Sequence, residues 1–208
     1  MDHRQTDHDL SDMPAIRRWL LLAALVAIGC AYVGTFVFFV THSEDFVERR
    51  FEEDAFRYAC AHAPTMPIVF DLGPGRPDLE RLGTGWNAPE PTGIWTSDEE
   101  ASLMVCVPAG QDLSIDVAFH SFVARRHPEV TVELLANATP LARWDTRLGR
   151  DRVAERVPLP RAVVGDGRVK LTFRVDAPAS PLSRRAGSDR RRLGVFVSRL
   201  AIEPGEAS

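Results

Sequence analysis

The sequence predicts a mostly β protein: a jelly-roll-like antiparallel β-sandwich preceded by one transmembrane helix and a short stalk helix. Three observations lead to this fold class. Residues 19–40 contain no charged side chain, and about 20 apolar residues in a helix cross a hydrocarbon core. Residues 41–62 keep helical character. From residue 66 onward, short apolar runs alternate with Gly, Pro, Asp and Asn, a texture typical of sandwiches built from short strands.

The residues that flank the apolar segment indicate its orientation. Arg17 and Arg18 precede it, whereas acidic residues follow at 44–45. Basic residues favour the cytoplasmic side of a membrane. We therefore expect a cytoplasmic tail at 1–16, a transmembrane helix at 17–40 and a C-terminal portion in the periplasm. Because Arg greatly outnumbers Lys, as in GC-rich genomes, we expect a bacterial inner membrane.

Two processing alternatives compete with a permanent anchor. A cleaved signal peptide has an apolar core of about 7–15 residues and a small-residue cleavage site, but here the core is longer and no A-x-A site precedes Thr41. A lipoprotein signal is suggested by the run from Ala27 to Cys30, yet the residues after Cys30 are as apolar as those before it. We therefore favour an uncleaved, single-pass anchor in the lipid bilayer.

Residues 41–65 are predicted to form a stalk helix and linker. Phe46, Val47, Phe51 and Tyr58 place apolar side chains along the helical segment, and prolines follow it. We expect this stripe to pack on the following domain, with a partner helix as the alternative.

Two cysteines lie in the portion that is predicted to face the periplasm. Cys60 falls in the stalk helix and Cys106 in the second predicted strand. In an oxidising compartment such a pair favours a disulfide, which would connect the stalk to the domain. The alternative is two separate buried thiols.

The remaining chain predicts one sandwich domain at 66–204, with a short tail at 205–208. Apolar and polar residues alternate in several runs, as in strands with one buried face, and Asn137-Ala138 and Asp166-Gly167 are turn dipeptides. About eight strands favour a jelly roll over a small barrel. The predicted strands are 68–72, 103–107, 113–119, 130–135, 140–144, 152–159, 169–175 and 193–202, and 73–93 is a long Gly/Pro loop.

Charge and motif content exclude several function classes. The net charge is −4, and the acidic excess lies in the N-terminal tail and residues 44–54, so the domain is not predicted to bind nucleic acid. The sequence contains no G-x-S-x-G, H-E-x-x-H, C-x-x-C or Gly-rich phosphate loop. His120 and His127 have no evident acidic partner in the sequence. We predict no catalytic residue, no metal and no cofactor, and therefore no enzyme.

Two motifs carry a resemblance to a known family. The first contains G-W, P-E and G-x-W groups at 85–86, 89–90 and 93–95, and the second spans 176–181 and 188–194. Together they resemble a β-sandwich domain appended to bacterial membrane phosphoglycerol transferases and polysaccharide glycosyltransferases, over about residues 66–204. The resemblance implies a noncatalytic, carbohydrate-binding-like module that faces the periplasm. These residues include no transferase domain, so we expect a membrane glycosyltransferase or another envelope protein as a separate partner.

The first motif supplies candidate ligand-binding residues. The indoles of Trp86 and Trp95 could stack on sugar rings while Glu90 accepts hydroxyl hydrogen bonds. The alternatives are that Trp95 is a core residue, that Trp86 pins the loop and that Glu90 caps backbone amides. For Trp95 the core alternative is preferred, and for Trp86 both interpretations stay open.

The second motif adds Asp189 and Arg192, which the resemblance singles out. An Arg–carboxylate pair is a natural structural clamp. We expect Arg192 to pair with Glu90 or Asp189 and so connect the two motif loops.

Five arginines lie between residues 182 and 192. Their planar donor groups suit phosphate, carboxylate or sulfate, which makes this segment a candidate anion-binding loop. The alternative is a solvated charged loop. Besides Arg192, the arginines are Arg184, Arg185, Arg190 and Arg191.

The sequence therefore predicts a membrane-anchored, carbohydrate-binding-like module that assists the synthesis or export of envelope polysaccharide or exopolysaccharide. The alternative is an assembly subunit that binds no sugar and docks on a membrane glycosyltransferase or another envelope complex.

Overall fold

The computed structural model describes residues 15–63 and 65–205. Most of the predicted tail 1–16, the proline at 64 and the end of the predicted 205–208 tail lie outside the described residues. Helix α1 spans Ala15–Ala61. It includes Trp19–Val40, a segment long and apolar enough to cross a membrane. The helical character predicted for 41–62 is present as part of the same helix.

Nine strands are present among the described residues, and all strand pairs are antiparallel. Sheet A has the order β1-β9-β4-β7, with β2 also paired to β9, and sheet B has the order β3-β8-β5-β6. The predicted fold class, mostly β with two antiparallel sheets after an apolar helix, is confirmed. The strands are β1 Ile68–Val69, β2 Ile94–Trp95, β3 Glu100–Cys106, β4 Leu113–Ser121, β5 Glu129–Ala136, β6 Thr139–Arg147, β7 Arg152–Leu159, β8 Arg168–Val175 and β9 Val195–Pro204.

The core forms between the two sheets from alternate residues of each strand. Ile115 and Val117 of β4 and Leu171 and Phe173 of β8 are buried, whereas the residues between them on β4 point to the outer face. This is the period-two pattern that the sequence displays. The same alternation decides which side chains line the outer surfaces of the sandwich.

Local elements differ from the prediction where the sequence gives no periodic signal. Strand β2 has two residues, too few to show alternation, and it was not predicted. Two short helical turns, Pro77–Arg81 and α2 at Arg161–Val164, were also not predicted. The predicted Asn137-Ala138 turn is confirmed, because both residues have positive φ (47° and 65°) between β5 and β6, as a two-residue hairpin requires.

The C-terminal part of α1, residues 48–61, packs on the outer face of sheet B and is called the stalk segment here. Ala55 and Ala59 are buried against Met104 of β3. The Arg168 guanidinium lies 4.6 Å from the centroid of the Phe56 ring. In the predicted apolar stripe, Phe51 is exposed and Tyr58 is half-buried, while the side chains of Phe46 and Val47 lie outside the described residues. Small alanines make the close contact instead, because they let the helix approach the sheet.

Polar and covalent links reinforce this contact. Lys170 of β8 forms an ion pair with Glu52. Cys60 and Cys106 form a disulfide with a Cα–Cα distance of 5.0 Å, so the two cysteines are not separate thiols. The stalk segment is therefore connected to both β3 and β8 of sheet B.

Arg81 caps the C-terminal end of the stalk segment. Its side chain is buried, and its guanidinium donates to the carbonyl oxygens of Ala59 (3.3 Å) and His62 (2.8 Å) and to Asp78 Oδ1 (2.9 Å). It also lies 5.7 Å from the centroid of the Tyr58 ring. The last carbonyls of a helix have no partner within the helix, so a cation here stabilises the helix end.

Candidate functional site

The candidate site lies on the outer face of sheet A, where three neighbouring strands each contribute one side chain. His120 of β4 is paired in register with Phe196 of β9 on one side and with Arg152 of β7 on the other. Trp95 of β2 joins them, since its ring centroid lies 5.0 Å from that of His120 and 5.3 Å from that of Phe196. The His120 and Phe196 rings are 5.1 Å apart. We call these three rings the aromatic cluster.

An open cleft of about 460 Å³ lies beside the aromatic cluster, and we call it the sheet A cleft. Ala118 and Ala154 face each other in register and leave space between larger neighbours. A register shift in β9 opposite Ala118 and Phe119 brings the Ser198 hydroxyl to the Ala118 carbonyl, to which it donates at 3.1 Å. The lining residues are Ala118, Phe119, His120, Arg152, Val153, Ala154, Phe196 and Ser198.

The charge of His120 is set by its position in this cluster. Burial lowers the pKa of its imidazole below the ordinary value of 6.5, the Arg152 charge lowers it further, and Asp151 and Glu90 act in the opposite direction. The net effect favours neutral imidazole at pH 7. A neutral imidazole presents one donor and one acceptor nitrogen, which is the combination that sugar hydroxyls can use.

The two motif loops meet beside the cluster through a clamp. Arg191 pairs with Glu90 (3.0 Å) and with Asp189 (2.8 Å). The Asp189 carboxylate also accepts the backbone N–H of Arg191, and these hydrogen bonds lower the pKa of Asp189. Hydrogen bonds from Arg191 to the two carboxylates likewise raise the pKa of its guanidinium.

The expectation that Arg192 would make this clamp is wrong, because Arg192 pairs with Asp98 at 3.3 Å. Its backbone carbonyl accepts a hydrogen bond from Asn87 at 2.8 Å, which adds a second connection between the two loops. The predicted link exists, but the neighbouring arginine makes it.

Trp86 does not line the sheet A cleft. Its indole N–H donates to the Ser102 carbonyl oxygen at 2.7 Å, and its half-buried ring lies edge-on to Phe173 of the core at 6.1 Å. The preceding Gly85 has φ of 88°, and a Cβ there would overlap the Glu100 carbonyl oxygen. These contacts are those of a residue that pins the loop. Trp95 is also half-buried. It belongs to the aromatic cluster and contacts His120 beside the cleft, without lining the cleft itself.

The four candidate anion-binding arginines have different environments. Arg191 is engaged by the clamp, and Arg184 is half-buried with an Nε atom that has no hydrogen-bond partner. Arg185 and Arg190 are exposed. The backbone around them forms a compact turn, with Arg184 N–H donating to the Ser180 carbonyl at 3.1 Å.

Sequence reasoning missed His120, Phe196 and Arg152 as a group. The sequence shows no acidic partner for His120, and Phe196 lies inside an apolar run, so neither residue is evident as part of a site. Strand alternation in β4 places His120 outward, but only the pairing of β4 with β7 and β9 brings the three residues together. Within residues 15–63 and 65–205, no group of three or more His, Cys, Asp and Glu could hold a metal ion.

No protein-family model matches the chain, and no curated protein does. Comparison with solved structures finds matches of low similarity. The EclA C-terminal domain, described as a sugar-binding protein, has 12% identity and a TM-score of 0.35, with 68% of this chain and 79% of that chain covered. A structure described as "CBM4 structure and function" has 13% identity and a TM-score of 0.33, covering 67% and 78%. The Podospora anserina GH26-CBM35 β-(1,4)-mannanase has 10% identity and a TM-score of 0.38, covering 68% and 28%. At these values the ligand must be argued from the chain's own residues.

Proposed function

We propose that the protein is a membrane-anchored, carbohydrate-binding-like module that assists the synthesis or export of cell-envelope polysaccharide or exopolysaccharide. In this proposal α1 crosses the inner membrane, the N-terminus is cytoplasmic and the sandwich lies in the periplasm. The observation that carries the binding role is the aromatic cluster beside the open sheet A cleft, in which the Trp95 and His120 rings are half-buried and the Phe196 ring is buried beneath them. Aromatic faces pack on the C–H groups of sugars, and nearby polar atoms fix the hydroxyls.

The proposed role is binding without catalysis. Ser198, the hydroxyl residue that lines the cleft, donates to the Ala118 carbonyl rather than to a base. The guanidinium of Arg152 offers hydrogen-bond donors and no acceptor, so it suits binding rather than acting as a base. His120, kept neutral by burial, suits hydrogen bonding to hydroxyl groups.

The proposal is tested by titrating the full chain in phosphatidylcholine nanodiscs with a panel of bacterial envelope oligosaccharides. Trp95→Ala should weaken binding by about tenfold, since central aromatic residues dominate binding energy. Trp86→Phe is the control, because Trp86 packs on Phe173 of the core, whereas Trp95 contacts His120 of the cleft lining. It should keep wild-type affinity and lose some stability. A folded Trp95→Ala protein with unchanged affinity would contradict the assignment.

One observation favours the alternative, an assembly subunit. The stalk segment is fixed to sheet B by a disulfide, the Glu52–Lys170 pair and the Arg81 cap. A fixed attachment suits a domain that docks on a membrane glycosyltransferase or another envelope protein. Absence of binding across the panel, together with co-purification of such a protein with the full chain, would favour this function.

A further inference from the structure

We propose that the sheet A cleft selects acidic sugars, with Arg152 holding the carboxylate of a uronic acid residue whose ring contacts His120 at the edge of the aromatic cluster. This inference rests on the proposed function, because it names the class of glycan that the same cleft takes. It adds a specificity-determining residue, Arg152, that neither sequence motif contains.

Arg152 differs from the other arginines near its strand. On β7, Arg156 pairs with Asp116 (2.8 Å) and Glu203 (2.6 Å). Just after β7, Arg161 pairs with Asp112 at 2.5 Å. Arg152 is exposed and lines the cleft, and within the described residues its guanidinium forms no hydrogen bond or ion pair. A ligand carboxylate can therefore take this donor group without displacing a protein partner.

The carboxylates nearest the cleft do not pair with the Arg152 guanidinium. Glu90 and Asp151 both act on His120, but Glu90 is held by Arg191 at 3.0 Å. Asp151 directly precedes β7, and among the described residues its carboxylate forms no ion pair. Neither carboxylate forms an ion pair with Arg152. The cation at the cleft is consequently positioned to attract a negative group from outside the protein.

The spacing of the three strands fits one sugar residue. Arg152, His120 and Phe196 occupy one row across β7, β4 and β9. Adjacent strands lie about 4.8 Å apart, so the outer two residues are separated by about 10 Å at the backbone. The Phe196 ring is itself buried, so a pyranose ring would contact His120 and place an acidic substituent toward Arg152. The planar guanidinium donates two parallel hydrogen bonds to a carboxylate, which a neutral hydroxymethyl group cannot match.

The test compares acidic oligosaccharides with their own carboxyl-reduced counterparts. The full chain in phosphatidylcholine nanodiscs is titrated with tetrasaccharides of galacturonate, glucuronate and mannuronate, each in acidic and reduced form. We expect at least one acidic form to bind about tenfold more tightly than its reduced partner, the size of one charge-assisted interaction. Added salt should reduce the difference, because it screens exposed charges.

Variants of Arg152 test whether this residue causes the preference for acidic oligosaccharides. Arg152→Gln should make the acidic and reduced forms bind equally, and Arg152→Lys should recover only part of the preference because the two-pronged geometry is lost. Arg150→Gln is the matched control: it removes the same charge two residues away, at an exposed turn outside the cleft. This control should keep the wild-type preference.

The outcomes separate the two levels of the proposal. If acidic and reduced forms bind equally to the wild type and Trp95→Ala weakens both, the binding function stands and acid selection is overturned. An acid preference that survives in Arg152→Gln, or that disappears equally in Arg150→Gln, overturns the role of Arg152. Failure of every oligosaccharide to bind overturns the proposed function, and acid selection with it.

Discussion

The outer faces of the two sheets obey the same alternation rule but serve different purposes. On sheet B, Met104, Arg168 and Lys170 point outward and contact the stalk segment. On sheet A, the outward residues include Ala118 and Ala154, whose small side chains leave a cleft beside the aromatic cluster. One face is thus occupied by the protein's own helix, while the other is open. We therefore expect interactions that stabilise the fold to be concentrated on the covered face, and the proposed ligand binding on the open one.

Removing the disulfide on the covered face of sheet B should have the largest effect on stability. Cys60 and Cys106 are 46 positions apart, and closing a loop of that length stabilises a fold by up to about 4 kcal/mol in the chain-entropy model. The Cys60→Ala/Cys106→Ala protein should lose a stability of that order in urea denaturation followed by Trp fluorescence. Its glycan affinity should stay at the wild-type value. A loss of affinity equal to that of Trp95→Ala would show that the two faces are not independent.

Arg81 gives the next largest effect on the same face. Arg81→Met removes a buried cation that satisfies two carbonyl oxygens and Asp78, so we expect a loss of about 3 kcal/mol in unfolding free energy. The control is Arg76→Met, since Arg76 forms an exposed pair with Asp71 at 2.9 Å and should cost less than about 1 kcal/mol. Equal losses in the two variants would show that Arg81 does not cap the helix.

On the open face, the pH dependence of stability reports on His120. Burial lowers its pKa in the folded protein below 6.5, so the unfolded chain binds the proton more readily. Stability from this group is therefore complete above pH 6.5 and falls as the pH drops toward the lowered folded value. The slope from one histidine is at most about 1.4 kcal/mol per pH unit.

Urea denaturation at several pH values between 5 and 7.5 measures this slope. His120→Gln should flatten it in part, because His127 is also buried and its pKa is also lowered. A wild-type protein whose stability rises as the pH falls from 7.5 to 5.5 would contradict the assignment for both histidines.

The strands could be predicted because alternation is a local property of the sequence. Seven predicted runs overlap the longer strands β3 to β9. The helical character of the stalk was also predicted, although Ala55 and Ala59 rather than the predicted apolar stripe contact sheet B. The candidate site was only partly predictable. Glu90 and Trp95 were identified from the first motif, but His120, Phe196 and Arg152 meet only through pairing of strands that are distant in the chain.

The Arg81 cap and the Arg191 clamp could not be predicted from the sequence, because no local pattern in the sequence encodes either contact. The Arg81 cap depends on a short helical turn that approaches the end of α1 from 19 positions away in the chain, and no local pattern encodes that approach. The clamp depends on which of three consecutive arginines faces Glu90. The direction of a side chain in an irregular loop is set by backbone angles, which a run of identical residues does not reveal.

The smallest effect concerns the clamp that borders the open face. Arg191→Ala removes both the Glu90 and the Asp189 pairs, whereas Arg192→Ala removes only the pair with Asp98. All these side chains are substantially exposed, so we expect Arg191→Ala to lower Tm by about 2 °C and Arg192→Ala by less than about 1 °C. Thermal unfolding measured by circular dichroism distinguishes the two. Because Glu90 acts on His120, Arg191→Ala should also change glycan affinity, while Arg192→Ala should not. A larger loss of Tm in Arg192→Ala than in Arg191→Ala would contradict the assignment of the clamp to Arg191.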